Sequence, residues 1–157
     1  MPTVPIAMDG PVLLFGGPYS NLGATEALLR EAERLGIPHR RIVCTGDVAA
    51  YCGQPAETVK AVRGAGIHVV LGNCEESLGN AAEECACGFA EGTACERLAV
   101  EWYAHASRAV GAADRAWMRE LPRRLDIAVG GRRLTVIHGS GSRINRAWGL
   151  ALRKRFC

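Results

Sequence analysis

The sequence predicts a single α/β domain built on a mostly parallel sheet. Its 157 residues, 48% hydrophobic and 22% charged, suffice for one domain with a substantial core. In the first half, three short apolar runs at 12–15, 41–45 and 67–71 alternate with two segments of helical periodicity. A β-α-β-α-β order of this kind favours parallel strands joined by right-handed crossovers.

Turn and capping residues set the ends of the two predicted helices. The first strand runs into a glycine-proline turn at 16–18, and Ser20 or Asn21 can cap the helix that follows. Gly36 can end that helix, because glycine tolerates the left-handed conformation found after helix C-termini. The second helix is expected to start near Pro55, since proline is favoured at the first helical position.

The second half predicts a different organisation. The expected elements are, in chain order, an irregular loop at 77–93, helices at 96–109 and 113–121, and a hairpin of strands 125–129 and 132–137. Pro122 stops the second of these helices, and Gly130-Gly131 provides the hairpin turn. With no internal repeat and no low-complexity linker, one domain over 1–157 is predicted.

The end of the chain predicts a basic amphipathic tail helix at 143–157. No acidic residue follows Asp126, and apolar residues from Ile144 to Phe156 recur at spacings of three and four. A basic end can meet nucleic acid or an anionic membrane surface. No nucleic-acid module accompanies it, so a solvated helix is the favoured interpretation and neither partner is expected.

Composition also predicts a compartment. No stretch approaches the ~20 apolar residues that cross a bilayer, and residues 1–10 lack the features of a signal peptide. We therefore expect a cytoplasmic protein.

Seven cysteines, an odd number in a chain without an export signal, predict reduced thiols. A structural zinc site is a less favoured alternative for the four that lie close together, Cys74, Cys85, Cys87 and Cys95.

Three of the predicted strands end in a polar signature. Gly46-Asp47, Gly72-Asn73-Cys74-Glu75 and His138-Gly139 each follow an apolar run. Because α/β sheets bind ligands at the carboxyl ends of their strands, these signatures are expected to converge at one sheet edge. A carboxylate, an amide oxygen and an imidazole nitrogen suit a hard or borderline divalent cation.

These signatures, in this order, resemble the calcineurin-like metallophosphoesterases. That family has Asp-x-His-Gly-Asn, Gly-Asp, Gly-Asn-His-Glu/Asp, a lone His and a late Gly-His-x-His. The resemblance covers roughly Val12 to Arg146 and implies a sandwich of two β-sheets flanked by helices. It also implies hydrolysis of a phosphate ester, in which two cations clamp the phosphate and activate a water.

The resemblance assigns a role to each matching residue. It makes Asp47 the carboxylate that bridges two metals, and Asn73 and His138 ligands of the second metal. Cys74 stands where the family has the His that protonates the leaving oxygen, which assigns it a catalytic role. The expected cofactor is a divalent metal such as Mn, Fe or Zn, at one weak site at most.

The sequence departs from the family pattern in three places. Gly17 and Tyr19 stand where the first motif supplies Asp and His, and the thiol of Cys74 is a poorer proton donor than imidazole. The late Gly-His-x-His is absent before the sequence ends at Cys157, so a truncated or diverged form without the last strands of the family fold is expected. One sheet then exposes an edge, which the tail helix or a second copy of the chain can cover.

Two functions remain open at this point. The first is metal-dependent hydrolysis of a small phosphomonoester or phosphodiester. The second is a non-catalytic module that binds phosphate, another ligand or a protein on a degenerate phosphoesterase fold. Gly17, Ser20 and Asn21, between a strand and a helix, can hold a phosphate through backbone N–H groups. A dinucleotide-binding fold is less favoured, because the loop is not Gly-x-Gly-x-x-Gly and Pro18 lacks an N–H.

Overall fold

Two three-stranded sheets form the centre of the part of the chain that the structure describes. The structure is a computed structural model and describes residues 4–140 and Ile144. One sheet has the order β2-β3-β4 and the other β1-β5-β6. The strands are β1 (Ile6–Met8), β2 (Leu13–Phe15), β3 (Ile42–Cys44), β4 (His68–Val69), β5 (Arg124–Val129) and β6 (Arg132–Ile137).

The strand directions confirm the prediction for the first half of the chain. β2, β3 and β4 pair in parallel, as the β-α-β-α-β pattern requires. In the second sheet, β5 and β6 form the predicted antiparallel hairpin. Gly130 and Gly131 have φ of 54° and 71° at its turn, a conformation that glycine adopts without steric cost.

Five helices flank the sheets among the described residues. They are α1 (Leu22–Arg34), α2 (Pro55–Ala65), α3 (Asn73–Gly79), α4 (Ala94–Ala109) and α5 (Ala112–Glu120). Two predicted signals set helix ends, since the Asn21 side chain caps α1 and Pro55 opens α2. Gly66 ends α2 with a left-handed φ of 65°.

Two elements differ from the prediction. The irregular loop expected from residue 77 is wrong for its first three residues, because α3 extends to Gly79. Glu75 and Glu76 in its first turn favour helix through their interaction with the helix dipole. β1 was not predicted, since its three residues are stabilised by pairing with β5, far along the chain. The predicted tail helix at 143–157 lies outside the described residues apart from Ile144.

The cysteine prediction needs a correction. Cys85 and Cys87 form a disulfide, so the expectation of reduced thiols is wrong for this pair. Their Cα atoms lie 5.3 Å apart, within the range that a disulfide spans. Cys44, Cys52 and Cys74 are free thiols. Because the disulfide sulfurs are bonded to each other, they are not thiolate ligands for the zinc site considered above.

The core shows that the two sheets pack face to face. One cluster joins residues that alternate inward on both sheets: Met8, Val43, Val70, Ile127 and Val136. A larger cluster packs the other face of the β2-β3-β4 sheet against the helices. This arrangement brings the end of β6 next to the end of β3. Among the described residues no helix is long and apolar enough to span a membrane.

Candidate functional site

Asp47 lies in a tight loop that follows β3. Its backbone has a left-handed φ of 57°, and Gly46 before it has a φ of 96°. A Cβ at Gly46 would lie 2.8 Å from both the carbonyl oxygen of Val70 and the backbone nitrogen of Gly72. Only glycine therefore lets the loop after β3 approach the loop after β4.

Gly72 makes the same approach possible from the other side. A Cβ there would lie 2.5 Å from the backbone nitrogen of Asp47 and 2.6 Å from its Oδ1. Two residues after Gly72, the backbone N–H of Cys74 donates to Oδ1 of Asp47 over 3.3 Å. The two glycines of the Gly-Asp and Gly-Asn motifs thus fix the contact between the loops that carry the candidate ligands.

Glu75 holds the Asp47 loop from beneath. Its side chain is fully buried and accepts hydrogen bonds from the backbone N–H groups of Asp47 and Ala49, over 2.8 and 3.1 Å. Burial, and next the charge of Asp47, raise the pKa of Glu75 to about 7. Glu75 belongs to the Gly-Asn-x-Glu motif, but its role could not be predicted from the sequence because its burial under the loop is a tertiary feature.

Asp47, Asn73 and His138 converge as predicted. Nε2 of His138 lies 3.2 Å from Oδ1 of Asn73 and 3.5 Å from Oδ2 of Asp47. Asp47 and Asn73 follow strands of one sheet, whereas His138 follows β6 of the other. The residues therefore meet where two sheets adjoin and not along the edge of one sheet, which corrects that part of the expectation.

Hydrogen bonds orient the side chains of His138 and Asn73 in this trio. Nδ1 of His138 lies 2.6 Å from the carbonyl oxygen of Thr45, which only accepts, so this nitrogen carries a proton. Nδ2 of Asn73 donates to the carbonyl oxygen of Cys85 over 3.3 Å, which turns Oδ1 toward His138. In a neutral imidazole the remaining nitrogen carries a lone pair. In that form Nε2 directs its lone pair at Oδ1 of Asn73 and Oδ2 of Asp47, whereas an Nε2 that carries a proton donates to them.

A single divalent cation fits this donor set. Ligand atoms about 2.1 Å from one ion, at angles of about 90–109°, are separated by about 3.0–3.4 Å. The distance of 3.2 Å from Nε2 of His138 to Asn73 lies within that range, and the distance of 3.5 Å to Asp47 lies slightly above it. A carboxylate, an amide oxygen and an imidazole held by a backbone carbonyl are also chemically suitable ligands.

The described residues do not supply a larger metal cluster. Over 4–140 and Ile144, no group of three or more His, Cys, Asp or Glu side chains is placed to hold an ion. At the first motif, Gly17 has no side chain and Tyr19 carries a phenol. Burial, and next the charge of Asp47, raise the pKa of Tyr19 above its usual value, so the phenol stays neutral. A two-metal arrangement is not built by these residues.

The predicted phosphate loop uses its backbone donors internally. The N–H groups of Tyr19, Ser20 and Asn21 donate to the carbonyl oxygens of Asp47, Val48 and Pro18, respectively. Oδ1 of Asn21 accepts from the backbone N–H of Ala24 as the cap of α1. The hydroxyl of Ser20 is buried without a hydrogen-bond partner. Phosphate binding by Gly17, Ser20 and Asn21 stays a prediction, and in this conformation the amides of Ser20 and Asn21 are not available for it.

Cys74 lies beside the trio but is not accessible. Its side chain is fully buried, and Nδ2 of Asn73 approaches its Sγ to 3.6 Å. Burial, followed by the charges of Asp47 and Glu75, raises the pKa of the Cys74 thiol far above its usual value. The thiol is therefore neutral, and its catalytic role stays a prediction that requires exposure to substrate.

Several solved structures resemble this chain over most of its length. A metallophosphoesterase from Sphaerobacter thermophilus is 25% identical, covers 87% of this chain and superposes with a TM-score of 0.57. The hypothetical protein PH1004 from Pyrococcus horikoshii OT3 is 15% identical over 89% of this chain, with a TM-score of 0.68. A protein proposed to be a diadenosine tetraphosphatase is 16% identical over 93%, with a TM-score of 0.58.

These comparisons confirm the predicted fold class. The chain has the two-sheet α/β fold of the metallophosphoesterases and resembles the calcineurin-like members of that group. It spans 49%, 58% and 61% of the three solved proteins, so about half of the first of them. No protein-family model and no curated protein sequence matches the chain.

Proposed function

We propose that this metallophosphoesterase-like protein hydrolyses a small phosphomonoester or phosphodiester at a single divalent cation. One observation carries the proposal: Oδ1 of Asn73 and Oδ2 of Asp47 lie 3.2 and 3.5 Å from Nε2 of His138, so that possible ligand atoms from two different sheets meet at one point. A cation at that point removes the repulsion among these atoms. When bound, such an ion polarises a phosphate oxygen and lowers the pKa of its water.

The chain's own residues hold the site in shape. Asp47 supplies the negative charge. Its backbone N–H donates to the carboxylate of Glu75, and its own carboxylate accepts from the backbone N–H of Cys74, which fixes the loop. His138 is oriented by the Thr45 carbonyl, and Asn73 by the carbonyl of Cys85. Side chains held in this way lose little freedom on binding, so the ligands are preorganised.

Calorimetric titration with Mn²⁺ tests the cation site. We expect one ion per chain in the unaltered protein and no binding in Asp47→Ala, since the variant loses the carboxylate. His138→Ala should bind at least about tenfold more weakly. The matched control is His68→Ala, because this half-buried imidazole forms its hydrogen bond with the carbonyl of Arg40 and not with the trio. Two ions per chain, or equal binding by the Asp47 variant, would contradict the proposal.

Hydrolysis of bis(p-nitrophenyl) phosphate with Mn²⁺ tests turnover. The proposal expects a rate above background that disappears in Asp47→Ala and persists in His68→Ala. If Cys74 occupies the place of a proton donor, Cys74→His should raise the rate, since imidazole is the better acid near neutral pH. An unchanged rate in a folded Cys74→His protein argues against that role.

The second candidate function is cation-dependent binding of a phosphate compound without turnover. The neutral, buried thiol of Cys74 and the absence of first-motif ligands at Gly17 and Tyr19 favour it. It predicts binding of Mn²⁺ and of inorganic phosphate, measured by calorimetry, with no hydrolysis at any added cation. The two functions therefore share the site and differ only in turnover.

A cytoplasmic location and a homo-oligomer remain proposals that accompany this function. β6 is an edge strand of its sheet in the described residues, and Leu134 and Ile137 on it are exposed. An edge of this kind can pair with a second copy of the chain. Sedimentation equilibrium of the unaltered protein and of a Leu134→Lys variant tests this: a dimer that the variant abolishes supports it.

A further inference from the structure

An aromatic cleft opens beside the candidate cation site. It has a volume of about 780 Å³, within the range of sites that bind small molecules. Four aromatic rings line it, from Tyr19, Tyr51, Phe89 and Trp102. The ring of Tyr51 is central, with its centroid 5.4 Å from that of Tyr19, 6.0 Å from Phe89 and 5.3 Å from Trp102.

The rings in this cleft are exposed to an unusual degree. Among the described residues, each Phe, Tyr or Trp that is at least 36% exposed lies here, namely Tyr19 (41%), Tyr51 (42%) and Phe89 (36%), whereas Trp102 is buried beneath them. Folding normally buries such large apolar surfaces, because each buried ring is strongly stabilising. A cluster of rings left open at one place indicates a surface that another flat group covers.

The backbone is strained where it presents two of these rings. Tyr19 has a φ of 52° and Tyr51 a φ of 48°, in the left-handed region that bulky side chains seldom adopt. Strain of this kind persists where the surrounding structure enforces it and is concentrated at binding sites. The loop contacts enforce it here, because the backbone N–H groups of Tyr19 and Cys52 donate to Asp47 and Tyr19, respectively.

The cleft adjoins the loop that carries Asp47, because Tyr19 lines the cleft and contacts that loop. The backbone N–H of Tyr19 donates to the carbonyl oxygen of Asp47 over 3.2 Å. The ring of Tyr19 covers Gly17, where a Cβ would lie 2.7 Å from the ring and 2.9 Å from that same carbonyl oxygen. Because Tyr19 belongs to the cleft and contacts the Asp47 loop, the cleft and the candidate cation site are neighbours.

We propose that this cleft binds the planar aromatic group of a phosphate ester whose phosphate lies at the site of Asp47, Asn73 and His138. The inference rests on the proposed function and narrows its substrate to esters of an aryl group or a nucleobase-bearing alcohol. Aromatic side chains stack on any flat ring. The cleft therefore selects phosphate esters with a flat aromatic group as a class and not one particular ester.

Two phosphonates that cannot be hydrolysed test the assignment. Phenylphosphonate and methylphosphonate carry the same anionic group and differ in the ring. With Mn²⁺ present, calorimetry should show phenylphosphonate binding about tenfold more tightly. The preference should vanish in Tyr51→Ala and return in Tyr51→Phe, which keeps the ring. Leu35→Ala, a change at an exposed leucine outside the cleft, should leave it unaltered.

A second measurement uses the unaltered chain and does not depend on a variant that folds. Cys52 is a free, exposed thiol on the wall of the cleft, whereas Cys44 and Cys74 are buried. Phenylphosphonate with Mn²⁺ should slow its alkylation by iodoacetamide several-fold, as measured on the Cys52 peptide by mass spectrometry. Methylphosphonate should not.

The outcomes separate this inference from the proposed function. Binding of Mn²⁺ with equal affinity for both phosphonates overturns the cleft assignment and leaves the cation site in place. A preference for phenylphosphonate that depends on Tyr51 but not on Mn²⁺ supports the cleft and overturns the single-cation function. Absence of binding by either phosphonate, with and without Mn²⁺, overturns both.

Discussion

Single residues determine whether the loops of the candidate site can meet. Gly72 has an ordinary φ of −92°, so its role comes from space and not from backbone freedom. A methyl group there would collide with Asp47 and with Oε2 of Glu75, at 2.7 Å from the latter. The glycine of the Gly-Asn motif is thus needed so that the two loops can pack against each other.

Gly72→Ala should destabilise the protein by about 2–3 kcal/mol, because buried backbone must move to admit the methyl group. Urea unfolding followed by circular dichroism measures this change. The control is Gly64→Ala in α2, where a Cβ meets nothing within 4 Å. That variant should gain about 0.5–1 kcal/mol from helix propensity. Equal effects of the two substitutions would contradict the packing argument.

Glu75 is a second residue with a structural role in the site. Glu75→Gln replaces one acceptor oxygen by an amide donor, which leaves the N–H of Asp47 or Ala49 without a partner. We expect a loss of about 1–3 kcal/mol in the free energy of unfolding. Glu76→Gln is a matched control at the next position, since it also removes one negative charge from the first turn of α3 but otherwise loses a surface ion pair with Arg123. A Glu75 variant no less stable than the Glu76 variant would refute this role.

Helix capping is the feature that decides the position of α1. Asn21 was predicted both to cap this helix and to bind phosphate, and the structure shows its Oδ1 bonded to the N–H of Ala24. Gln54, before α2, makes no such side-chain bond. The two positions therefore offer a comparison between a helix with a side-chain cap and a helix without one.

Asn21→Ala should cost about 1 kcal/mol in the free energy of unfolding, because an N–H of the first turn loses its acceptor. Gln54→Ala should change it little. Asn21→Asp keeps an oxygen at the cap and should retain the stability. Thermal and urea unfolding of the three variants check this, and an Asn21→Ala protein as stable as the unaltered chain would show that the cap contributes nothing.

At the scale of the whole molecule, the candidate site joins the two sheets. The inter-sheet contact of Val43 and Val70 with Met8, Ile127 and Val136 holds them together, and the trio lies where they adjoin. A cation bound by residues from both sheets binds the native state and not the unfolded chain. Its binding is therefore linked to global stability.

Mn²⁺ at about one hundred times its dissociation constant should add about 2.7 kcal/mol to the stability. For a chain of this size that raises Tm by roughly 5–10 °C. Differential scanning calorimetry with and without Mn²⁺ measures the shift, which His138→Ala should reduce and His68→Ala should retain. A shift of equal size in His138→Ala would mean that the ion binds elsewhere.

The parallel order of β2, β3 and β4, the hairpin and the main helix ends could be predicted from the sequence, whereas the role of Asp47, Asn73 and His138 as metal ligands stays a prediction. These features follow from periodicity, caps and turn residues, which act over a few neighbouring positions. Such signals involve residues that are close together in the sequence, so they can be recognised without the tertiary structure.

The other features of the fold and of the candidate site depend on contacts between distant parts of the chain and were seen in the tertiary structure alone. Pairing of β1 with β5, the hydrogen bond of His138 to Thr45, the burial of Glu75 and the gathering of four rings in one cleft join distant parts of the chain. The carbonyl that orients His138 is 93 residues away in sequence. Contacts of this kind depend on how two sheets and their loops pack, which no local pattern specifies.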